Sequence, residues 1–270
     1  MRSIILHIYD DDCLEARLQV ALDLARSFKG HITCVQPIVW TYPGPGDFMG
    51  ESAAELLPII RENAAKLQQK IESRLADEGV AWDWLQDFDP AGDLLRTYGA
   101  LADLIVLGAR DPVGGKGASS LAGQLAIHAQ TPVLVVPAMA RSFDVTMPAI
   151  VAWNGSIEAS HALRAAVPLL SRAASVHLIS VEEAGTERTF DLPPTEGAEF
   201  LSRHGIECEM VEIPRSEGSA QDVLRRAAAT RKAGLIVMGA YGHSRIREII
   251  LGGVTRDLLS TPPVPLFLSH

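Results

Sequence analysis

The residues best suited to chemistry lie late in the chain, in Gly239-Ala-Tyr-Gly242-His243 and, further on, Gly252-Gly253-Val254-Thr255. They follow the apolar run Leu235 to Met238, so the order reads as strand, glycine turn, then a helix opening on Gly-Gly-Val-Thr. Glycine lets backbone approach a ligand closely, and unpaired amides at a helix N-terminus attract anions. Such an arrangement makes a phosphate cradle. His243 and Arg245 are placed to reach a phosphate there, or else are solvated turn residues.

Other candidates carry less chemistry. Val113 to Ser120 imitates a P-loop, but Gly117 follows Lys116 where Ser or Thr is required, and Arg110 stands where the first glycine belongs. Asp10, Asp11 and Asp12 suit a helix N-terminus, where acids complement the helix dipole and cap amides, better than a metal site. The remaining histidines are not spaced as metal ligands, and neither a Ser/His/Asp set nor a Gly-x-Ser-x-Gly elbow occurs. Arg225, Arg226, Arg231 and Lys232 read as a helix C-terminal cluster. Cys13, Cys34 and Cys208 are dispersed and form no CxxC pair. The net charge of -9 argues against nucleic acid as partner. No apolar stretch approaches a membrane span and no signal peptide is evident, so the expectation is a cytoplasmic protein without a membrane partner.

The elements that must position the glycine segment occur twice. Ala102 to Ala109 lines up with Ala233 to Ala240 at an offset of 131, which also pairs Pro132 with Pro263. At the start of each half an offset of 144 places Tyr9 on Trp153 and Asp10 on Asn154. Strands apolar throughout alternate with amphipathic helices, which predicts parallel sheets covered on both faces. The strands are expected at Ile4 to Tyr9, Ile32 to Val35, Trp82 to Phe88, an apolar fourth strand and Val133 to Val136. Their counterparts are Ile150 to Trp153, Val176 to Val181, Glu207 to Ile213, Leu235 to Met238 and Leu266 to Leu268. Pro137 to Met147 reads as the linker, with domains at 1–140 and 147–270.

Both halves together resemble the universal stress protein family in its tandem two-domain form. The carrier is Gly239-x2-Gly242-x9-Gly252, which is similar to the family's Gly-x2-Gly-x9-Gly-Ser/Thr signature. The resemblance implies two tandem doubly wound α/β domains with five-stranded parallel sheets, of the adenine nucleotide alpha hydrolase-like fold. It implies an adenine nucleotide, usually ATP, with or without Mg, across the carboxyl ends of the strands. The implied contacts are Ala152, Trp153 and Asn154 after the first strand, Val181 after the second, and Met238 and Gly239 after the fourth. Gly242, His243, Gly252, Gly253, Val254 and Thr255 would hold the phosphates.

Two departures bear on this expectation. Asn154 stands where many ATP-binding members have Asp, and Gly253 where the pattern has Ser or Thr. In the first half Asp111 replaces the second glycine, and Leu121 and Ala122 are aligned with Gly252 and Gly253, so that half is expected not to bind a nucleotide in the usual way. The expected function is a stress-response protein that couples an adenine nucleotide in its C-terminal domain to an unknown protein partner. The halves would form an intramolecular pseudo-dimer, with a further homodimer left open. The alternatives are a slow ATP hydrolase or phosphotransferase, and a ligand-free interaction scaffold.

Overall fold

The computed structural model describes residues 1–38, 51–111, 119–181, 194–214, 218–240 and 253–270. The Pro/Gly-rich stretch 42–50, the glycine loop 113–118 and the motif residues Gly242, His243, Arg245 and Gly252 lie outside them.

The first half runs β1 (Ser3–His7), α1 (Leu14–Phe28), β2 (His31–Pro37), α2 (Glu51–Leu75), β3 (Ala81–Asp87), α3 (Ala91–Gly99), β4 (Leu104–Gly108), α4 (Ser120–His128) and β5 (Val133–Val136). The second runs β6 (Ala149–Ala152), α5 (Ile157–Leu170), β7 (Val176–Val181), α6 (Pro194–Arg203), β8 (Cys208–Ile213), α7 (Ala220–Thr230), β9 (Leu235–Gly239), α8 (Gly253–Ser260) and β10 (Leu266–Ser269). The β4 run is buried at every position, as expected of a strand covered on both faces. Helices start where the sequence supplies caps: the Ser156 and Ser219 hydroxyls accept from the amides of Ala159 and Asp222.

The expected pair of five-stranded sheets is continuous. The strand order is β3-β2-β1-β4-β5-β10-β9-β6-β7-β8, and the halves join through antiparallel pairing of β5 with β10. All other neighbours pair in parallel. One apolar layer packs α1, α2, α5 and α6 on one face, and a second packs α3, α4, α7 and α8 on the other. The linker region is anchored rather than purely polar. Phe143 and Val145 are buried in the first layer, and the Phe143 amide donates to Asp23 Oδ2 of α1 at 2.9 Å.

The ladders correct two sequence alignments. Ile4 pairs with Leu104 and Ala149 with Leu235, while the amides of Ile8 and Trp153 donate to Val35 and Ile179. Ile8 therefore matches Trp153, where Tyr9 was expected, and Tyr9 rather than Asp10 follows in the place of Asn154. At the other end, the Ile105 amide donates to Pro132 O at 3.0 Å and the Ile236 amide to Pro265 O at 3.1 Å. Pro132 matches Pro265, not Pro263. The residues just before Gly253 lie outside the described ones, so Leu121 and Ala122 stay matched to Gly252 and Gly253 by sequence alone. Three prolines precede β10, at 262, 263 and 265, so residue letters could not choose among them.

Candidate functional site

In the second half, β6 and β9 are neighbours whose connections leave in opposite directions along the sheet, to β7 and to β10. That is the switch point at which an open α/β sheet leaves a crevice beyond its carboxyl ends. Ala152 ends β6 between Ile179 and Met238, and Val181 ends β7 opposite Ile213. Because α8 runs back between β9 and β10, its first residue, Gly253, opens at this same rim.

The loop after β6 is built by a side chain. Asn154 Oδ1 accepts from the Ser156 amide at 3.1 Å, and Gly155 adopts φ 75°, a left-handed conformation that favours glycine. Asn154 is exposed at the rim and retains its amide hydrogens for a ligand. Trp153 is buried and lies against Gly197 of α6, where a Cβ would come within 3.1 Å of the indole. Its ring belongs to the core below α6, not to a joint between the halves.

The glycines divide into two kinds. A Cβ on Gly239 would lie 2.6 Å from the Ala159 nitrogen and from the Glu158 carbonyl carbon. Gly239 thus lets α5 press against the end of β9. Among the described residues a Cβ on Gly253 would meet nothing within 4 Å, so none of them fills the space beside the first turn of α8. Val254 is half-buried, and Thr255 is buried within that turn. Glu158, beside Gly239, is buried and its Oε2 has no hydrogen-bond partner among the described residues. Arg225 of α7 pairs with Asp257 and donates to Asp257 O at 2.8 Å, which ties α8 to its neighbour.

The equivalent rim of the first half is crowded. Asp111 Oδ1 accepts from Ser119 Oγ at 2.6 Å and the Leu121 amide at 3.1 Å, while Oδ2 accepts from the Ser120 amide at 2.8 Å and Ser120 Oγ at 2.6 Å. Partial burial opposes the charged form, yet these bonds outweigh it and hold the carboxyl below its ordinary range. Arg17 of α1 is fully buried. Its Nε donates to His7 O at 2.7 Å, Nη1 to Asp11 Oδ1 at 2.6 Å, and Nη2 to Tyr9 O. A Cβ on Gly108 would come 3.0 Å from Arg17 Nη1 and 2.7 Å from the Cys13 Cβ. His7 is buried, with Nε2 unpartnered among the described residues. Burial, then the Arg17 charge, push its pKa down to about 3, against a smaller opposing effect of Asp111.

Of the acidic run, Asp11 takes up an amide at the start of α1, though not from the N-cap position. The N-cap is Cys13, with no side-chain cap bond. Asp11 Oδ1 instead accepts from the Cys13 amide at 2.7 Å, while Asp10 and Asp12 face Lys70 and Arg110 at 3.7 and 3.5 Å. Sequence reasoning missed Arg17, Ser119 and Ser120. The available signal was a charged residue on the apolar stripe Leu14, Leu18, Ala21. A cleft of about 350 Å³ lies elsewhere, between Arg110, the linker residues Phe143 and Met147, and Pro262 to Pro265 before β10. Among the described residues no helix is long and apolar enough to cross a membrane.

Residues 147–270 match the model of the Universal stress protein family. A curated relative, Universal stress protein Slr1230 of Synechocystis, is 25% identical over 173 residues, 61% of this chain. The match spans 56% of that relative's length. A universal stress protein from Archaeoglobus fulgidus superposes with a TM-score of 0.75 at 18% identity, covering 99% of this chain and 98% of that one. One described as a putative universal stress protein, from Pseudomonas aeruginosa, gives 0.62 at 17% identity, covering 100% and 93%. These two likenesses concern the fold.

Proposed function

We propose that the chain is a stress-response protein of two tandem domains, 1–140 and 147–270, that binds an adenine nucleotide, ATP foremost, at the carboxyl rim of β6, β7 and β9. The observation that carries this reading is the space beside Gly253 at the first turn of α8, which none of the described residues fills, set at the switch point between β6 and β9. In this reading Asn154 and the backbone at Ala152, Trp153, Val181 and Met238 hold the nucleoside. Gly242, His243, Gly252, Gly253, Val254 and Thr255 hold the phosphates, since unpaired amides at a helix N-terminus attract anions. Mg is an optional companion of the phosphates. The ligand would act in the cytoplasm by its different affinity for two states of the surrounding loops, and so bias a protein partner.

Calorimetric titration with ATP and AMP, with and without Mg, tests this. Saturable binding at one site per chain is expected, lost on Gly242→Asp, which places a carboxylate where phosphate would sit. Saturable binding that Gly242→Asp leaves unchanged would refute the proposal.

A further inference from the structure

Spacing along the chain shows no Ser/His/acid set, but the pairing of β7 with β8 assembles one. Ser175 directly precedes β7 and His177 is the second residue of that strand, so their side chains share one face. The register sets Glu209 of β8 opposite His177. Ser175 Oγ lies 3.1 Å from His177 Nε2, and His177 Nδ1 lies 2.7 Å from Glu209 Oε2. Val176 and Leu178 belong to the first apolar layer and Ile179 to the second. The three polar residues therefore sit on the face that α7 covers, at the amino end of the strands.

The protonation pattern follows from the partners. A carboxylate only accepts, so Nδ1 carries the hydrogen of the neutral ring and Nε2 is left to accept from the Ser175 hydroxyl. Nucleophile, base and orienting acid stand in that order, an arrangement recognised by geometry and not by position in the chain. Ser175 is half-buried and Glu209 exposed, and the His177 side chain is 13% exposed, so the cluster is open to a small reagent. Arg231, at the C-cap of α7, brings a positive charge to 3.7 Å from Glu209 Oε2.

The first half supplies an internal contrast. Counted from the pairs Ile4–Ile32 and Ala149–Val176, Thr33 and Asp83 hold the places of His177 and Glu209. His31, in the place of Ser175, bonds Asp83 directly, with Nε2 and Oδ2 3.1 Å apart. A histidine–carboxylate pair recurs in both halves, and the second puts a hydroxyl in line with it.

We infer that Ser175 is an activated nucleophile, with His177 as its base and Glu209 as a positioning residue, and that it accepts the acyl group of a small carboxylic ester. Ser175 Oγ bonds to the carbonyl carbon while His177 Nε2 takes the hydroxyl proton. That proton passes to the departing alkoxide as the ester C–O bond breaks, and water then releases the acid by the same path. The cleft of about 350 Å³ lies at this end of the sheet, across β6: the Ala149 amide donates to Ser175 O, and the amide of the cleft residue Gly234 to Pro148 O. Its Met147 and Pro263 walls suit an apolar ester. The site is separate from the proposed nucleotide rim, which lies at the opposite end of β7, beyond Val181.

A fluorophosphonate probe on the full chain tests this, because phosphonylation joins Ser Oγ to phosphorus, expels fluoride and gives the hydroxyl proton to the base. One adduct per chain is expected by intact mass, mapped to Ser175 by peptide mass spectrometry. Labelling should be absent from Ser175→Ala and at least about 100-fold slower in His177→Gln. Glu209→Ala should slow it too, with part of the rate recovered in Glu209→Asp. Hydrolysis of p-nitrophenyl acetate should follow the same order. No adduct at Ser175, or a rate that His177→Gln leaves unchanged, overturns the inference. Wild type unfolded in urea before the probe is added should take no adduct, which keeps the test decisive where a variant does not fold; an adduct there also overturns it. ATP titration of Ser175→Ala should match that of wild type, so this inference and the nucleotide reading fail independently.

Discussion

His7 is the residue through which acid should first act. Held neutral with a pKa of about 3, against 6.5 ordinarily, it binds no proton in the folded chain across a range in which the unfolded chain binds one. Stability must therefore fall as pH drops from 6.5 toward 3, by up to about 1.4 kcal/mol per pH unit from this group. His7→Leu should flatten that slope by close to one proton in urea unfolding between pH 6.5 and 4.5; an unchanged slope would contradict the assignment. Asp111 works lower on the scale. Its folded value lies below 3.8, so its contribution is complete above 3.8 and disappears as pH falls through the folded value. Neither role was legible in the sequence. A histidine ending an apolar strand gives no sign of which groups will face it. Asp111 could be read as a misplaced charge, but its partners became visible only once α4 was seen to open at Ser120.

At the scale of elements, the glycines of the second half make opposite forecasts. Gly239→Ala drives a methyl into the backbone of α5, 2.6 Å from Ala159 N, where nothing flexible can yield. A loss of about 1–3 kcal/mol or more is expected by denaturant unfolding. Gly253→Ser meets none of the described residues within 4 Å, at a helix start. It should leave stability unchanged or improve it by up to about 1 kcal/mol. By adding a hydroxyl toward phosphate, it should also tighten ATP binding about tenfold. Elements themselves were well legible. Val133–Val136 and Val176–Val181 follow from their apolar runs with the bounds observed. Correspondence between the halves was not, because it is set by ladder hydrogen bonds such as Ile236 to Pro265, which leave no mark on residue letters. The separate surroundings of Gly239 and Gly253 became visible only with the packing of α5.

For the whole molecule, the β5–β10 pairing makes the stability of the halves common property. Phe267 on β10 is fully buried and sits opposite Leu134 across the junction. Phe267→Ala should cost about 3–5 kcal/mol. It should also shift one shared unfolding transition, seen alike by circular dichroism and by tryptophans in both halves, Trp82, Trp84 and Trp153. Separate transitions would show that the junction couples them poorly. The same pairing has a directional consequence. Strands that meet head to tail at the centre send the two carboxyl rims to opposite ends of the sheet. The carboxyl rim of the second half lies at one pole, and Asp111 faces the other. The central strands β5 and β10 run from one pole to the other.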